Sequence, residues 1–323
     1  MKAVIQKSYG EPGNVLEIAE VPKPAPTKNQ VLIKVMATTI NDFDWSAVTG
    51  RPYAYRPLFG FFKPRKPIAG MEVAGIVEAT GTDVQQFKPG DAVYGDISQY
   101  GFGAFAEYLC INEKAVVKKP ENLSFEDAVA LPHASLLALQ AMRDIGKITN
   151  GQKVLINGAG GGFGTIATQL AKLHDCEITG VDADDKLDLL KSNGVDHVID
   201  YRKEDFTKNG KQYDLVLDCK SNRPAFAYLR SLKPNGKYIT VGGTPGILVN
   251  LLLVGKMATL SSGKKVQILA LKPNAGLDYI EQLVRENKLK NVIDGPYTME
   301  EIPRLIQYFG EGKHKGKIVV KIG

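Results

Sequence analysis

The sequence predicts a two-domain α/β protein: an all-β domain first, then a doubly wound domain on a parallel sheet, with the chain returning to its starting domain at the end. Three observations predict it. The 323 residues are about twice the usual ~150 per domain. Up to about residue 120, short alternating or β-branched runs are separated by Pro and Gly, which is all-β in character. From Lys153 onward, apolar strands alternate with amphipathic helices, the pattern of βαβ units whose sheet is covered on both faces.

The elements follow in order. Lys2 to Ile5 reads as an opening strand, followed by Val31 to Ala37, Val73 to Ala79, Ala92 to Gly95 and Ala104 to Cys110. Ser124 is an N-cap with Asp127 three residues on, starting an Ala/Leu-rich helical stretch to Asp144 that Pro132 interrupts. Strands are expected at Val154 to Asn157, Glu177 to Asp182, His197 to Asp200, Leu215 to Cys219 and Tyr238 to Val241. Helices run between them to about Leu173, to about Ser192 and after Pro224. Val266 to Leu271 closes the run as an edge strand, and the alternation of Ile318, Val320 and Ile322 belongs with the first domain. The expected bounds are 1–123 and 296–323 for the first domain and 124–295 for the second.

Composition narrows the function. Hydrophobic residues at 44% and charged residues at 24% are ordinary globular values. The net charge of +6 is scattered among acids, so a solvated surface is expected and no nucleic-acid partner. Cys110, Cys176 and Cys219 are far apart and odd in number, which argues against a disulfide framework and a clustered zinc site and for a reducing compartment. No apolar run approaches the ~20 residues of a membrane span, and the chain opens on a strand, so a cytoplasmic protein without integral membrane association is expected.

The most informative stretch is Val154-Leu155-Ile156-Asn157-Gly158-Ala159-Gly160-Gly161-Gly162-Phe163-Gly164-Thr165. The strict G-x-G-x-x-G pattern fits no register, but Ala159-x-Gly161-x-x-Gly164 does, with Ala in the turn position. Gly161 allows close approach to a pyrophosphate and Gly164 close packing of helix on strand, while the helix N-terminus offers amide donors and its dipole. Asp182, at the end of the next strand, is placed to accept from a ribose 2′-OH, which favours NAD(H). Lys186 and Tyr201 argue the other way, because both are placed to converge on a 2′-phosphate and select NADP(H). Structural readings stand beside these: an exposed helix lysine for Lys186 and an N-cap for Asp182.

With these residues in view, the chain resembles the zinc-independent quinone oxidoreductase branch of the medium-chain dehydrogenase/reductase superfamily. The resemblance runs end to end through Asn41-Asp42-Phe43-Asp44-Trp45, Gly70-Met71-Glu72-Val73-Ala74-Gly75, Phe87-Lys88-Pro89-Gly90-Asp91, Gly103-Ala104-Phe105-Ala106-Glu107-Tyr108, Ala130-Leu131-Pro132, the glycine loop, Val198-Ile199-Asp200-Tyr201, Val241-Gly242-Gly243 and Gly316-Lys317-Ile318-Val319. It implies a GroES-like β domain interrupted by a Rossmann domain, with a cleft between them. Where the superfamily's zinc alcohol dehydrogenases carry a cysteine and a histidine ligand, this chain has Asn41 and Met71, so no zinc is expected. The chemistry shifts towards hydride addition to a quinone or an α,β-unsaturated carbonyl, which needs hydrogen-bond donors at the developing oxyanion and no Lewis acid.

The resemblance places Asn41 near nicotinamide and substrate, with Tyr53 a neighbouring donor, and backbone near Gly242 and Gly243 at the nicotinamide. A turn cap also explains Asn41, loop packing explains Tyr53, and Asp44 and His133 read as structural. Leu137 stands where many relatives carry a threonine that helps hold the nicotinamide. Two other readings are therefore carried: a nucleotide-binding module with little turnover, and a peripheral membrane protein resting on the apolar Ile247 to Val254 followed by Lys256, Lys264 and Lys265, since some plant relatives associate with the chloroplast envelope. A homodimer through Val266 to Leu271 is expected, as an apolar sheet edge invites pairing with its two-fold mate.

Overall fold

The computed structural model describes the backbone of residues 1–323 and all side chains except those of Leu58, Pro245 and residues 256–261. In the first part of the chain lie β1 (Lys2–Gln6), α1 (Pro12–Val15), β2 (Leu16–Glu20), β3 (Gln30–Thr39), α2 (Asp42–Thr49), α3 (Arg56–Phe59), β4 (Glu72–Thr80), β5 (Ala92–Asp96), β6 (Tyr108–Asn112), β7 (Val117–Lys118) and α4 (Phe125–Val129). The middle holds α5 (Pro132–Leu139), a π-helix over Gln140–Gly146, β8 (Lys153–Asn157), α6 (Gly162–Lys172), β9 (Glu177–Asp182), α7 (Leu187–Ser192), β10 (His197–Asp200), β11 (Tyr213–Asp218), α8 (Ala225–Arg230), β12 (Leu232–Thr240), α9 (Pro245–Ser262), β13 (Lys265–Ile268) and α10 (Leu277–Arg285). The chain ends in β14 (Ile293–Thr298), α11 (Ile302–Gly310) and β15 (Lys317–Lys321).

Two compact units result. The first comprises residues 1–133, 273–277 and 293–323, the second 134–272 and 278–292. The expected boundaries at 123/124 and 295/296 fall inside the first unit, since α4 packs on β3, β4 and β5.

In the first unit one sheet has the order β14-β15-β3-β4-β5-β7, with β6 paired to β3. The returning strand β15 lies antiparallel to β3 through Val319–Thr39 and Val320–Thr38, as the alternation of Ile318, Val320 and Ile322 predicts. Alternate residues Val31, Ile33 and Val35 of β3 turn inward onto Val73, Val77, Val93 and Leu109. A second cluster gathers Val4, Ile40 and Val48 with Ile302, Leu305, Ile306, Ile318 and Val320. The strand expected over Ala104 to Cys110 is shorter, because Ala104 to Glu107 turn to β1, where Ala106 bridges Ala3 and the Val4 amide donates to the Phe105 carbonyl at 2.8 Å.

In the second unit a parallel sheet runs β10-β9-β8-β11-β12-β13. The order reverses between β8 and β11, the switch point of a doubly wound sheet, outside whose strand ends ligands bind. Leu155, Val181, Val216, Tyr228, Tyr238, Leu251 and Val254 form the core. β13 ends at Ile268, earlier than the expected Leu271, and lies at the edge of the sheet. The apolar Ile247 to Val254 is part of the 18-residue helix α9. The two strongly amphipathic helices α10 and α11 answer to no sequence-based expectation above.

Candidate cofactor and active site

In the second unit, β8 delivers the chain into the glycine loop and α6 starts directly after it. The Gly158 and Ala159 amides donate to the Val181 carbonyl at 2.9 and 3.1 Å, tying the loop to the end of β9. Gly158 has φ +89°, and a Cβ there would lie 2.2 Å from the Cys219 sulfur. At Gly164 a Cβ would meet the Gly158 carbonyl oxygen at 2.3 Å, so close packing of α6 on the loop requires glycine. Gly161 is the N-cap of α6 and supplies no side-chain cap, leaving first-turn amides beside Gly162 and Phe163 for an outside acceptor. The loop fits the pyrophosphate of a dinucleotide.

The groups expected at the adenosine end are brought together. Asp182 is buried; its Oδ2 accepts from the Gly160 amide at 2.8 Å, its Oδ1 from the Ala183 amide at 2.9 Å, and Lys186 Nζ stands 3.5 Å from Oδ1. The carboxylate therefore braces the glycine loop. Lys186 is 3% exposed, which overturns the reading as an exposed helix lysine. Its stem lies over Gly160, where a Cβ would come 2.8 Å from Cδ, and burial pulls its pKa down against the Asp182 charge. Tyr201 is exposed beyond β10, with the Arg202 guanidinium 5.6 Å from its ring centroid.

Lys220, which sequence reasoning missed, joins this group. A Cβ on Gly158 would lie 3.5 Å from the Lys220 Cε as well as against the Cys219 sulfur, and the Lys220 pKa is raised, by Cys219 first and then by Asp182, Asp218 and Tyr201, against burial. Burial pushes the Cys219 thiol up to about 11, so it is not a ready nucleophile. Gly242 and Gly243 follow β12, and Leu137 is half-buried on α5.

In the first unit Asn41 caps α2 and is almost fully buried. Its amide nitrogen gives both hydrogens within the unit, to Thr39 Oγ1 at 3.0 Å and Glu72 Oε2 at 2.9 Å, while its Oδ1 accepts from Lys317 Nζ. Lys317 Nζ also lies 2.6 Å from Glu72 Oε2, both side chains being withdrawn from solvent. Asp44 accepts from the Asn41 amide at 2.9 Å and the Gly70 amide at 3.1 Å; burial raises its pKa to about 8. It is part of the helix start.

His133, buried beside them, is held by three carboxylates. Its backbone amide donates to Glu72 Oε1 at 2.7 Å, its Nδ1 lies 2.8 Å from Asp96 Oδ2, and its Nε2 lies 3.5 Å from Asp42 Oδ1. Burial opposes the charge, but the bonds to Asp42 and Asp96 outweigh it and push the pKa to about 10. Tyr53 stands apart, 66% exposed, in a 3-10 turn beyond the C-terminal end of α2, with the Arg56 guanidinium 4.7 Å from its ring centroid. The same turn's Tyr55 stacks on Phe43 in the first turn of α2, 6.3 Å between ring centroids, so the chain after α2 folds back along that helix.

Two family profiles match: an alcohol dehydrogenase GroES-like domain over residues 27–121 and a zinc-binding dehydrogenase over residues 193–320. A chloroplastic quinone oxidoreductase of Triphysaria versicolor is 36% identical over 99% of this chain and 98% of its own. A 2-methylene-furan-3-one reductase of Solanum lycopersicum is 32% identical over 99% of this chain and 79% of its own. The chain belongs to the quinone oxidoreductase-like branch of the medium-chain dehydrogenase/reductase superfamily. Its fold superposes on the quinone oxidoreductase of Coxiella burnetii with a TM-score of 0.87 at 29% identity, covering 100% of this chain and 99% of that one. The zinc that the second profile's description implies does not fit the residues of this family member. Met71 offers a buried thioether, the Asn41 carbonyl faces an ammonium group, and no group of three or more His, Cys, Asp or Glu able to hold a metal occurs among the described residues.

Proposed function

We propose that the protein is a zinc-independent NADPH-dependent reductase of quinones or α,β-unsaturated carbonyls. The observation that carries this reading is the glycine loop and uncapped α6 N-terminus, braced by Asp182 and flanked by Lys186, in a chain whose relatives are named quinone and enone reductases along its whole length. When bound, the nicotinamide supplies a hydride. Ala159 and Gly161 to Gly164 take the pyrophosphate, and the Gly242 and Gly243 backbone takes the nicotinamide half. Asp182 takes the ribose, with its charge offset by Lys186, and Lys186 and Tyr201, joined by Lys220, take the 2′-phosphate. Asn41, with both amide hydrogens engaged and its Oδ1 taken by Lys317 and by the capping box of α2, holds the start of that helix in place at the substrate position. The exposed Tyr53 phenol is the donor candidate for the substrate oxygen.

The test is a panel of quinones, enals and enones assayed with NADPH and NADH, beside Gly164→Val. Acceptor-dependent NADPH oxidation, lost with cofactor binding in Gly164→Val, is expected. Tight NADPH binding without turnover on any acceptor would leave the nucleotide-binding module as the better reading.

The proposal includes a homodimer. β13 leaves one edge of the second unit's sheet open, and Phe226, Val249, Leu252 and Leu253 expose apolar surface on the neighbouring α8 and α9. A second copy related by a two-fold axis covers both at once. The same apolar face suits the peripheral membrane reading less well, because Lys264 is spent on the Leu229 carbonyl at 2.8 Å, and the Lys256 side chain lies outside the described residues. No helix among the described residues is long and apolar enough to cross a membrane. A cytoplasmic location, supported by the three free cysteines, belongs to the same proposal and is checked by cell fractionation.

A further inference from the structure

At the switch point of the sheet a buried polar network joins the ends of three strands. Asp218, closing β11, is fully buried; its Oδ1 accepts from Asn157 Nδ2 at the end of β8 at 2.9 Å and from the Lys220 and Ser221 amides at 2.7 and 3.0 Å. Its Oδ2 accepts from the Tyr238 hydroxyl of β12 at 2.8 Å. These bonds hold Ser221 at φ +41°, a conformation costly for a residue with a side chain.

Ser221 Oγ meets Thr240 Oγ1, the last residue of β12, which in turn bonds the Gly242 carbonyl and accepts from the Gly242 amide at 3.1 Å. With Tyr238 giving to Asp218, Ser221 to Thr240 and Thr240 to Gly242, each of these three bonds has its hydrogen, and the 3.1 Å contact between Ser221 Oγ and the Tyr238 oxygen is left without one. Gly243 follows at φ +145°, where a Cβ would lie 2.9 Å from Ser221 Cβ. The loop after β12 is thereby seated on the loop after β11 with no room for a side chain between them.

A doubly wound sheet binds a dinucleotide across its switch point, one mononucleotide per half. The glycine loop and Asp182 occupy the half built from β8 to β10, so the ends of β11 and β12 serve the other. We propose that Ser221 and Thr240, anchored on Asp218, are positioning residues that set the Gly242-Gly243 backbone for the nicotinamide half. This rests on the dinucleotide reading above. The Asn157 bond extends the same anchor to the strand that carries the glycine loop, so the two halves of the cofactor site share one carboxylate.

The experiment titrates NADPH and 2′-phospho-ADP-ribose, which keeps both riboses and lacks only the nicotinamide ring, into wild type, Ser221→Ala, Thr240→Val and Thr240→Ser, with thermal unfolding as a check on folding. Thr240→Val and Ser221→Ala should bind NADPH roughly tenfold more weakly and the fragment as wild type does, and Thr240→Ser should restore NADPH binding. A merely structural role moves unfolding or both ligands together, and would overturn the inference, as would unchanged NADPH affinity in folded Thr240→Val and Ser221→Ala. A wild type that binds neither ligand would overturn the dinucleotide reading itself and this inference with it.

Discussion

The Lys317 ammonium lies 2.6 Å from the Glu72 carboxylate, with the two side chains 7% and 0% exposed. Removing one partner of such a pair leaves an unpaired buried charge. Lys317→Met should therefore lower stability by about 3–5 kcal/mol in denaturant unfolding. Adding Glu72→Gln should recover part of that loss, and a Lys317→Met protein as stable as wild type would contradict the pairing.

His133 sets an alkaline limit. Its pKa is raised from 6.5 to about 10 in the fold, so its contribution is fully present below pH 6.5 and is lost as pH climbs through 10. Asp44, raised to about 8, acts in the same direction, because the folded state resists its ionisation. The melting temperature should fall steadily from pH 7 to pH 10, and His133→Asn should flatten that slope. Melting curves across this range provide the measurement; a wild type whose melting temperature rises over it would refute the assignment.

Lys186 should decide the cofactor. A charge-assisted hydrogen bond contributes roughly 1.5–3 kcal/mol, so Lys186→Ala should weaken NADPH binding by tenfold or more and leave NADH nearly unchanged. Lys220→Ala, on a more exposed side chain, should cost less and show the same selectivity. Calorimetric titration with both cofactors checks this, and equal losses for both would return the choice to Asp182.

Metal analysis of the purified protein should find no stoichiometric zinc, and turnover should survive a chelator. Near-equimolar zinc with chelator-sensitive activity would show that Asn41 and Met71 had misled the reading.

Sedimentation at micromolar concentration should show a dimer, and Ile268→Pro on the edge strand should shift it to monomer. A wild-type monomer at that concentration would leave the β13 edge and the Leu252 and Leu253 face without the proposed mate.

The glycine loop was legible in the sequence because its requirements are local: Gly158 needs its positive φ and Gly164 its missing Cβ within one turn of chain. β13 was legible as an edge strand for a similar reason, since a short apolar run ending an alternating series has few places to go. The surroundings of Asn41 were not. Its partners Glu72 and Lys317 lie 31 and 276 residues away, and no spacing rule reports that an amide has spent its hydrogens on them. The one available signal was charge, as Glu72 and Lys317 stand at the starts of β4 and β15, each directly before an apolar run in the quoted motifs. Lys220 escaped because the turn after β11, which carries it towards Lys186, follows a buried aspartate whose hydrogen bonds set that turn.

The partnership of β15 with β3 has a consequence for how the chain is made. A ribosome releases residues 1–133 long before it reaches residue 317, while residues 134–272 of the second unit emerge as one uninterrupted stretch. At about 5–20 residues per second, β3 waits roughly ten seconds or longer for its neighbour, and Glu72 and Asn41 wait as long for the lysine that joins them. The nascent first unit spends that interval with only the Ala37 to Thr39 end of β3 uncovered beyond its pairing with β6, so the span in which chaperones have most to protect is set by the order of synthesis, and the second unit is free to reach its final form first.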